Sequence, residues 1–276
     1  MKPTVPAPNV YALGLDEEER DRLRRQSAEL RGHSAELLDQ TGLHKGDHAI
    51  DLGCGPLGIV DLLSERVGRR GRVVGLDLDK ANVARARSFA RERSLDNVTI
   101  VEGDARQTGL PDGSFDLVHA RTLLINIPDP AVAVAEMIRL AKPGGWVASM
   151  EPDMSVQIYH PPHAAWSRLQ EIFNATYRAD GADPFIGRRL AELLTEGGLT
   201  EVGVHARVDL YPPGHSRRTI RLDLIRSMRA KIVERGIATE QELDDLDRAG
   251  RAHLQDPLVL VLPGVYFQAW GRKPGA

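Results

Sequence analysis

Cysteine is nearly absent from this chain: one residue in 276, Cys54. One thiol excludes a disulfide framework and any cysteine-cluster metal site, and it fits a reducing, cytoplasmic setting. Aromatic residues are scarce at 5%. No apolar run approaches the ~20 residues a bilayer span requires. The first eight residues carry three prolines and no apolar centre, so they do not read as a signal peptide. A basic excess is also missing. Lys and Arg number 36 against 39 Asp and Glu, a net charge of −3, which leaves no field to hold a phosphate backbone. These absences point away from nucleic acid, membrane and metal.

The remainder is the composition of a globular domain: 42% hydrophobic, 27% charged, and long enough for one large α/β domain with a cap. Prolines at 3, 6 and 8 make residues 1–10 an arm without regular pairing. A helix is expected from about Asp16 to Gln40, with Leu23, Leu30, Leu37 and Leu38 on one face and Gln26 and His33 on the same stripe. Two polar groups on an inward face need partners, either in the core or in a pocket that this helix lids. Gly32 weakens that helix and is where a bend is expected.

A regular alternation follows. Strands are expected at His48–Leu52, Arg72–Leu78, Val98–Glu102, Ser114–Ala120 and Trp146–Glu151, with helices near Leu57–Val67, Lys80–Arg93 and Pro130–Leu140. That order defines a mostly parallel sheet covered on both faces, with ligands beyond the carboxyl ends of its strands. Beyond Pro152 the pattern loosens. Helices are expected at Ala164–Arg178 and Gly187–Glu196, a strand near Val202–Leu210, and a charged helical insertion over 215–254. Leu258–Trp270 is expected to close the sheet as a hairpin or edge strand. The expected divisions are a lid (1–44), a core (45–151) and a remainder (152–276) with cap insertions at 152–185 and 212–256.

The first strand runs into Asp51-Leu-Gly-Cys-Gly-Pro-Leu-Gly58, a turn whose glycines let a ligand approach the backbone. Alone it fits a dinucleotide, a nucleoside or a phosphate. Asp77 ends the second strand, where an acid can accept both ribose hydroxyls. Asp51 beside the turn would repel a pyrophosphate and suits a sulfonium or ammonium centre. Asp104, after Gly103, can accept from an adenine amino group.

Together with Val74-Gly-Leu-Asp77, Val101-Glu-Gly-Asp104-Ala105, Leu110-Pro-Asp-Gly-Ser-Phe-Asp-Leu-Val118 and Leu140-Ala-Lys-Pro-Gly-Gly145, this stretch resembles the class I S-adenosylmethionine-dependent methyltransferases, of the small-molecule, UbiE-like type known from bacterial secondary metabolism. One departure is Leu57, where that family often has a glycine directly after the proline. The resemblance implies a Rossmann-like seven-stranded sheet with an N-terminal lid helix and helical caps, S-adenosylmethionine as cofactor and a small-molecule acceptor. Nucleic acid and membrane are not expected as partners; a homodimer is an open expectation.

It also implies roles. Gly53 and Gly55 would pass the methionine part, with Asp51 beside them. Asp77 would take the ribose, Leu78 would pack on the adenine, and Gly103, Asp104 and Ala105 would read its edge. Ala120 and Arg121 would lie near the methionine end, Arg121 pairing with its carboxylate, and Tyr11 and Gln26 would border the methyl group. His33, Glu151 and Tyr11 are the expected catalytic groups, the first two as bases. His33, Glu151, Tyr159, Trp166, Phe173 and Tyr177 would surround an aromatic or indole-like acceptor, methylated on carbon or oxygen. No metal is expected. The rival readings are a cyclase-type enzyme that keeps the cofactor without transferring methyl, a macromolecular methyltransferase and a nicotinamide oxidoreductase.

Overall fold

The computed structural model describes residues 17–275. Its centre is a seven-stranded sheet: β1 (His48–Leu52), β2 (Arg72–Asp77), β3 (Val98–Glu102), β4 (Phe115–Arg121), β5 (Ala141–Asp153), β7 (Thr200–Val208) and β9 (Val265–Arg272). The order across it is β3-β2-β1-β4-β5-β9-β7, with β9 antiparallel to both its neighbours and the first five strands parallel. Two short strands, β6 (Ile158–His160) and β8 (Leu260–Leu262), pair separately. Period-two alternation sorts the core onto two faces. Ile50, Val118 and Val147 point to one apolar cluster; Ala49, Leu117 and Ala148 point to the other.

Helices α1 (Glu17–Glu29) and α2 (Arg31–Leu38) precede the sheet, and α3 (Val60–Val67), α4 (Lys80–Glu92) and α5 (Pro130–Leu140) connect its parallel strands. Apolar strands too buried to face water need these helices on both sides. The cap consists of α6 (Ala164–Ala179), α8 (Ile220–Ser227), α9 (Arg229–Glu234) and α10 (Glu240–Leu254), while α7 (Leu190–Glu196) packs on β7 and β9. Helix starts follow ordinary capping chemistry. Asp79 accepts from Asn82 N at α4, Thr239 from Glu242 N at α10, and Pro130 occupies the first turn of α5.

Three expectations change. The single helix over 16–40 is two helices, broken at Leu30 rather than bent at Gly32. The helix expected from Leu57 starts at Val60, because Gly58 is left-handed (φ +52°) and cannot continue a helix. The C-terminal stretch is neither a hairpin nor an edge. Pro263-Gly264 splits it, β8 leaves the main sheet, and β9 lies in its interior with β7 outside it. Among the described residues no helix is long and apolar enough to cross a membrane.

Candidate active site

The carboxyl ends of β1 to β4 open onto a cavity of about 610 Å³. Gly53, Gly55, Asp77, Leu78, Gly103, Asp104, Ala105 and Arg121 line it, as does Gln26 from α1. The glycine turn needs glycine for three separate reasons. A Cβ on Gly53 would strike the Leu123 side chain at 2.6 Å, and one on Gly58 would lie 2.3 Å from Asp51 Oδ2. A Cβ on Gly55 meets nothing within 4 Å, yet it would stand on the cavity wall with φ at +58°. The bare backbone at Gly55 is a cradle for a ligand.

Asp51 is turned the other way. Its carboxylate is buried and does not line the cavity. Oδ2 accepts the Ile59 amide at 3.0 Å, capping the start of α3 from a neighbouring strand, and His119 Nδ1 lies 2.8 Å from Oδ1. His119 is opposite Asp51 in the β1–β4 register, which accounts for the contact. The acid expected to face a sulfonium therefore holds the turn in shape. Burial, with Asp51 and Asp77 adding to it, pushes the Cys54 thiol well above its usual range and keeps it unreactive.

Asp77 closes β2. Its Oδ2 accepts from Gly55 N at 2.7 Å, and its Oδ1 from Asp79 N at 2.9 Å and Asn82 Nδ2 at 3.3 Å. Burial raises its pKa, opposed by the Asp79 and Gly55 amides. Beside it on the same wall, Asn82 Oδ1 is a buried acceptor without a partner among the described residues. An acid and an orphaned acceptor, side by side and facing a cavity, fit a ligand with vicinal hydroxyls. Leu78, half exposed, supplies an apolar shelf next to them. Asp104 chelates Arg106 through distances of 2.6–3.1 Å. Burial works against its ionisation, but the Arg106 bonds and charge outweigh that and hold it below the usual carboxylate range. The residues present thus fit a nucleoside, the larger part of S-adenosylmethionine.

Arg121 lines the cavity while its guanidinium donates to Ser34 Oγ and Ser27 Oγ at 3.0 Å and to Gly58 O at 3.3 Å, tying the N-terminal helices to the glycine turn. Ala120, expected beside it, is fully buried in the core and off the cavity. Gln26 Oε1 accepts from Arg22 at 2.6 Å, and its Nε2 donates to Thr122 Oγ1 at 3.3 Å. Thr122 is a β-branched residue at φ +51°, a conformation that costs on the order of 1–2 kcal/mol. Asn126 Nδ2 holds its carbonyl at 2.9 Å. That strained turn stands at the end of β4, on the cavity, and the sequence carries no mark of it.

The acceptor residues divide. Phe173 and Tyr177 line the cavity, their rings 4.5 Å apart. Tyr159 and Trp166 do not; they stack on each other at 3.8 Å within the core. Glu151 is wholly buried and away from the cavity. It accepts the amides of Leu123, Leu124 and Ile125 at 2.9, 3.0 and 3.2 Å, so it fixes the loop after β4 and is not placed to act as a base. Burial pushes its pKa up to about 7 against the pull of those amides. His33 is also off the lining and is linked to it by Asp209, whose Oδ2 lies 3.4 Å from His33 Nε2. Tyr11 lies outside the described residues.

Residues that sequence reasoning missed complete the far end: Arg207, Asp209, Tyr211, Arg217 and Tyr266, with Ile220 and Leu224 as an apolar floor. Their one sequence signal is the Tyr211-Pro-Pro-Gly loop between β7 and the cap.

The family match and the named relatives point to one class. The pattern of the family described as "Methyltransferase domain" matches residues 50–149. An uncharacterized 37.1 kDa protein of transposon TN4556 from Streptomyces fradiae is 33% identical over 171 residues, 61% of this chain and 48% of that one. A demethylmenaquinone methyltransferase of Geobacillus kaustophilus is 30% identical over 181 residues, 61% of this chain and 77% of that one. A SAM-dependent methyltransferase structure from Aquifex aeolicus superposes with a TM-score of 0.52 at 22% identity, over 71% of this chain and 92% of that one. The chain belongs to the class I S-adenosylmethionine-dependent methyltransferases, and S-adenosylmethionine is its cofactor. It spans about half the length of the Streptomyces relative and about three-quarters of the Geobacillus one.

Proposed function

We propose that this chain transfers the methyl group of S-adenosylmethionine to a flat aromatic small molecule of quinol or indole size. The observation that carries the reading is that a single cavity joins the Asp77 and Gly55 end to the Phe173 and Tyr177 end. About 610 Å³ is a volume typical of small-ligand sites, and a shared chamber is what direct transfer between two ligands requires. The Geobacillus relative is named for a quinone-type acceptor, which supports the ring system proposed here.

The cofactor brings a methyl carbon activated by a sulfonium. This chain contributes alignment and the exclusion of water. Phe173, Tyr177, Ile125 and Leu224 form apolar walls against the acceptor ring, and Gln26 and Thr122 border the junction between the two ends. With Glu151 engaged elsewhere, Asp209 is the acid at the acceptor end. The acceptor is methylated on carbon or oxygen. The test is calorimetric titration with S-adenosylhomocysteine, then mass spectrometry of reactions with hydroquinones, naphthols and indoles. The expected result is cofactor binding and a product one methylene heavier. A chain that binds no S-adenosylhomocysteine overturns the reading.

A further inference from the structure

We infer that the acceptor binds through an anionic oxygen and that Arg217 is the residue that receives it. This rests on the aromatic-acceptor reading above. Arg217 sits on a 3-10 turn, Ser216–Thr219, after the Pro212-Pro213-Gly214 loop. Its side chain is 5% exposed and lines the cavity. A guanidinium so buried needs its donors matched or a ligand to match them. Nε faces Glu29 Oε2 at 3.1 Å, and Nη2 donates to Tyr266 Oη at 3.2 Å. Nε, for all its nearness to Glu29, makes no hydrogen bond, and among the described residues none reaches Nη1. These are the donors left for an oxygen in the cavity.

The group is set in advance. His215 Nδ1 accepts the Arg217 amide at 3.1 Å, and Ser216 Oγ donates to Glu29 Oε1, so both carboxylate oxygens of Glu29 are engaged. The Tyr266 ring lies 5.6 Å beneath the guanidinium. Other cavity arginines are differently occupied. Arg121 is held by Ser27, Ser34 and Gly58, and Arg207 by Glu36 at 2.7 Å.

The groups facing Arg217 are Glu29 from α1, Tyr266 from β9, Tyr211 and, more remotely, Arg121. Burial lowers its pKa, but Tyr266, Tyr211 and Glu29 outweigh that and keep it charged. Asp209 holds the Tyr211 hydroxyl at 3.1 Å and faces His33.

A second observation points to the same sign of charge. Arg221 is wholly buried behind the acceptor wall, its guanidinium 3.9 Å from the Phe173 ring centre. Its bonds go to the neutral Gln157 and Gln170, and among the described residues no carboxylate pairs with it. Arg218, also buried, donates to the Tyr211 carbonyl and has no acid partner among the described residues either. In a low-dielectric wall, unpaired cations favour an anion in the adjoining space. An acidic phenol or enol satisfies both halves: an apolar ring for Phe173, Tyr177 and Leu224, and a delocalised oxyanion for Arg217.

Two probes test this on the wild-type protein: 4-nitrophenol, which ionises to a coloured phenolate, and 4-nitroanisole, its methyl ether, which cannot. The expected result is that nitrophenol binds about tenfold more tightly than nitroanisole near neutral pH, and that saturating protein lowers its apparent pKa by about one unit, read from the phenolate absorbance. Arg217→Met should erase both effects, and Arg217→Lys should keep most of them. Equal binding of the two probes, with no shift in pKa, overturns the inference while leaving the aromatic acceptor intact. Binding of S-adenosylhomocysteine without binding of either probe overturns both. The cofactor carboxylate is the other oxyanion in reach, and 5′-methylthioadenosine, which lacks it, separates the cases. If Arg217→Met weakens S-adenosylhomocysteine but leaves methylthioadenosine and nitrophenol unchanged, Arg217 serves the cofactor and the inference falls.

Discussion

The two ends of the cavity are built in opposite ways. The cofactor end comes from consecutive strand ends between Asp51 and Thr122, and its groups are held by short, local bonds: Asp77 to Gly55, Asp104 to Arg106, Asp51 to Ile59. The acceptor end draws on residues far apart in sequence. Glu29 meets Arg217, Arg217 meets Tyr266, and Phe173 meets Arg221. At the first end the carboxylates are satisfied by the protein, and Asn82 Oδ1 is left for the ligand. Near the second, Arg218 and Arg221 are buried with no acid partner among the described residues, so its electrostatics are completed by what it binds.

The largest effect that could break this contrast is at Gly58. Gly58→Ala combines a left-handed backbone with a Cβ 2.3 Å from Asp51 Oδ2 and 2.8 Å from Cys54 O. We expect a loss of more than about 3 kcal/mol in urea unfolding. Gly55→Ala, with open space around its Cβ, should lose only about 1 kcal/mol of stability yet abolish S-adenosylhomocysteine binding. Equal destabilisation by the two would mean that the turn is not divided into a structural glycine and a ligand glycine.

Next is Glu151. Its pKa is raised by burial to about 7, so between the ordinary carboxylate value and 7 the native state holds a proton the unfolded state has released. Stability should therefore be greatest at low pH in this window and fall by up to about 3 kcal/mol as pH rises through 7. Glu151→Gln, which cannot titrate, should flatten that slope in denaturation curves taken across the window. An unchanged slope would remove Glu151 as its source.

Asp77 and Phe173 test the independence of the ends directly. Asp77→Ala should weaken S-adenosylhomocysteine by about 2 kcal/mol, roughly 30-fold by calorimetry. Phe173→Leu should leave that affinity within about twofold while lowering binding of an aromatic probe such as 4-nitrophenol. A matching loss of cofactor affinity in both would merge the two ends into one unit. The smallest effect expected is at Arg221. Arg221→Met should change stability by no more than about 1 kcal/mol, in either direction, because a buried unpaired guanidinium contributes little net stability to the fold. Its loss should nonetheless reduce the preference for an anionic probe.

Much of the cofactor end was legible in the sequence, for a physical reason. A parallel strand, a glycine turn and an acid at the next strand end are local patterns, and the sheet places consecutive strand ends together. Gly53, Gly55, Asp77, Leu78, Asp104 and Arg121 stand on the cavity. Three of the misplaced residues share one cause. Asp51, Ala120 and Glu151 lie at or near strand ends, where successive side chains point to opposite faces, and sequence position does not say which face is the open one. Trp166 is on the same helix as Phe173 and Tyr177, but its ring packs on Tyr159 from β6, a strand that only the tertiary pairing with β8 creates.

By itself, the sequence determined the strand–helix alternation, the glycine turn and the nucleoside-binding acids, because each depends on neighbours within a few residues. The tertiary structure alone decided that β9 enters the sheet between β5 and β7, that Glu151 caps a loop, and that Arg217 faces the cavity from a cap 188 positions after its partner Glu29. Burial, direction and counter-charge are properties of contacts between distant segments, and no local pattern encodes them.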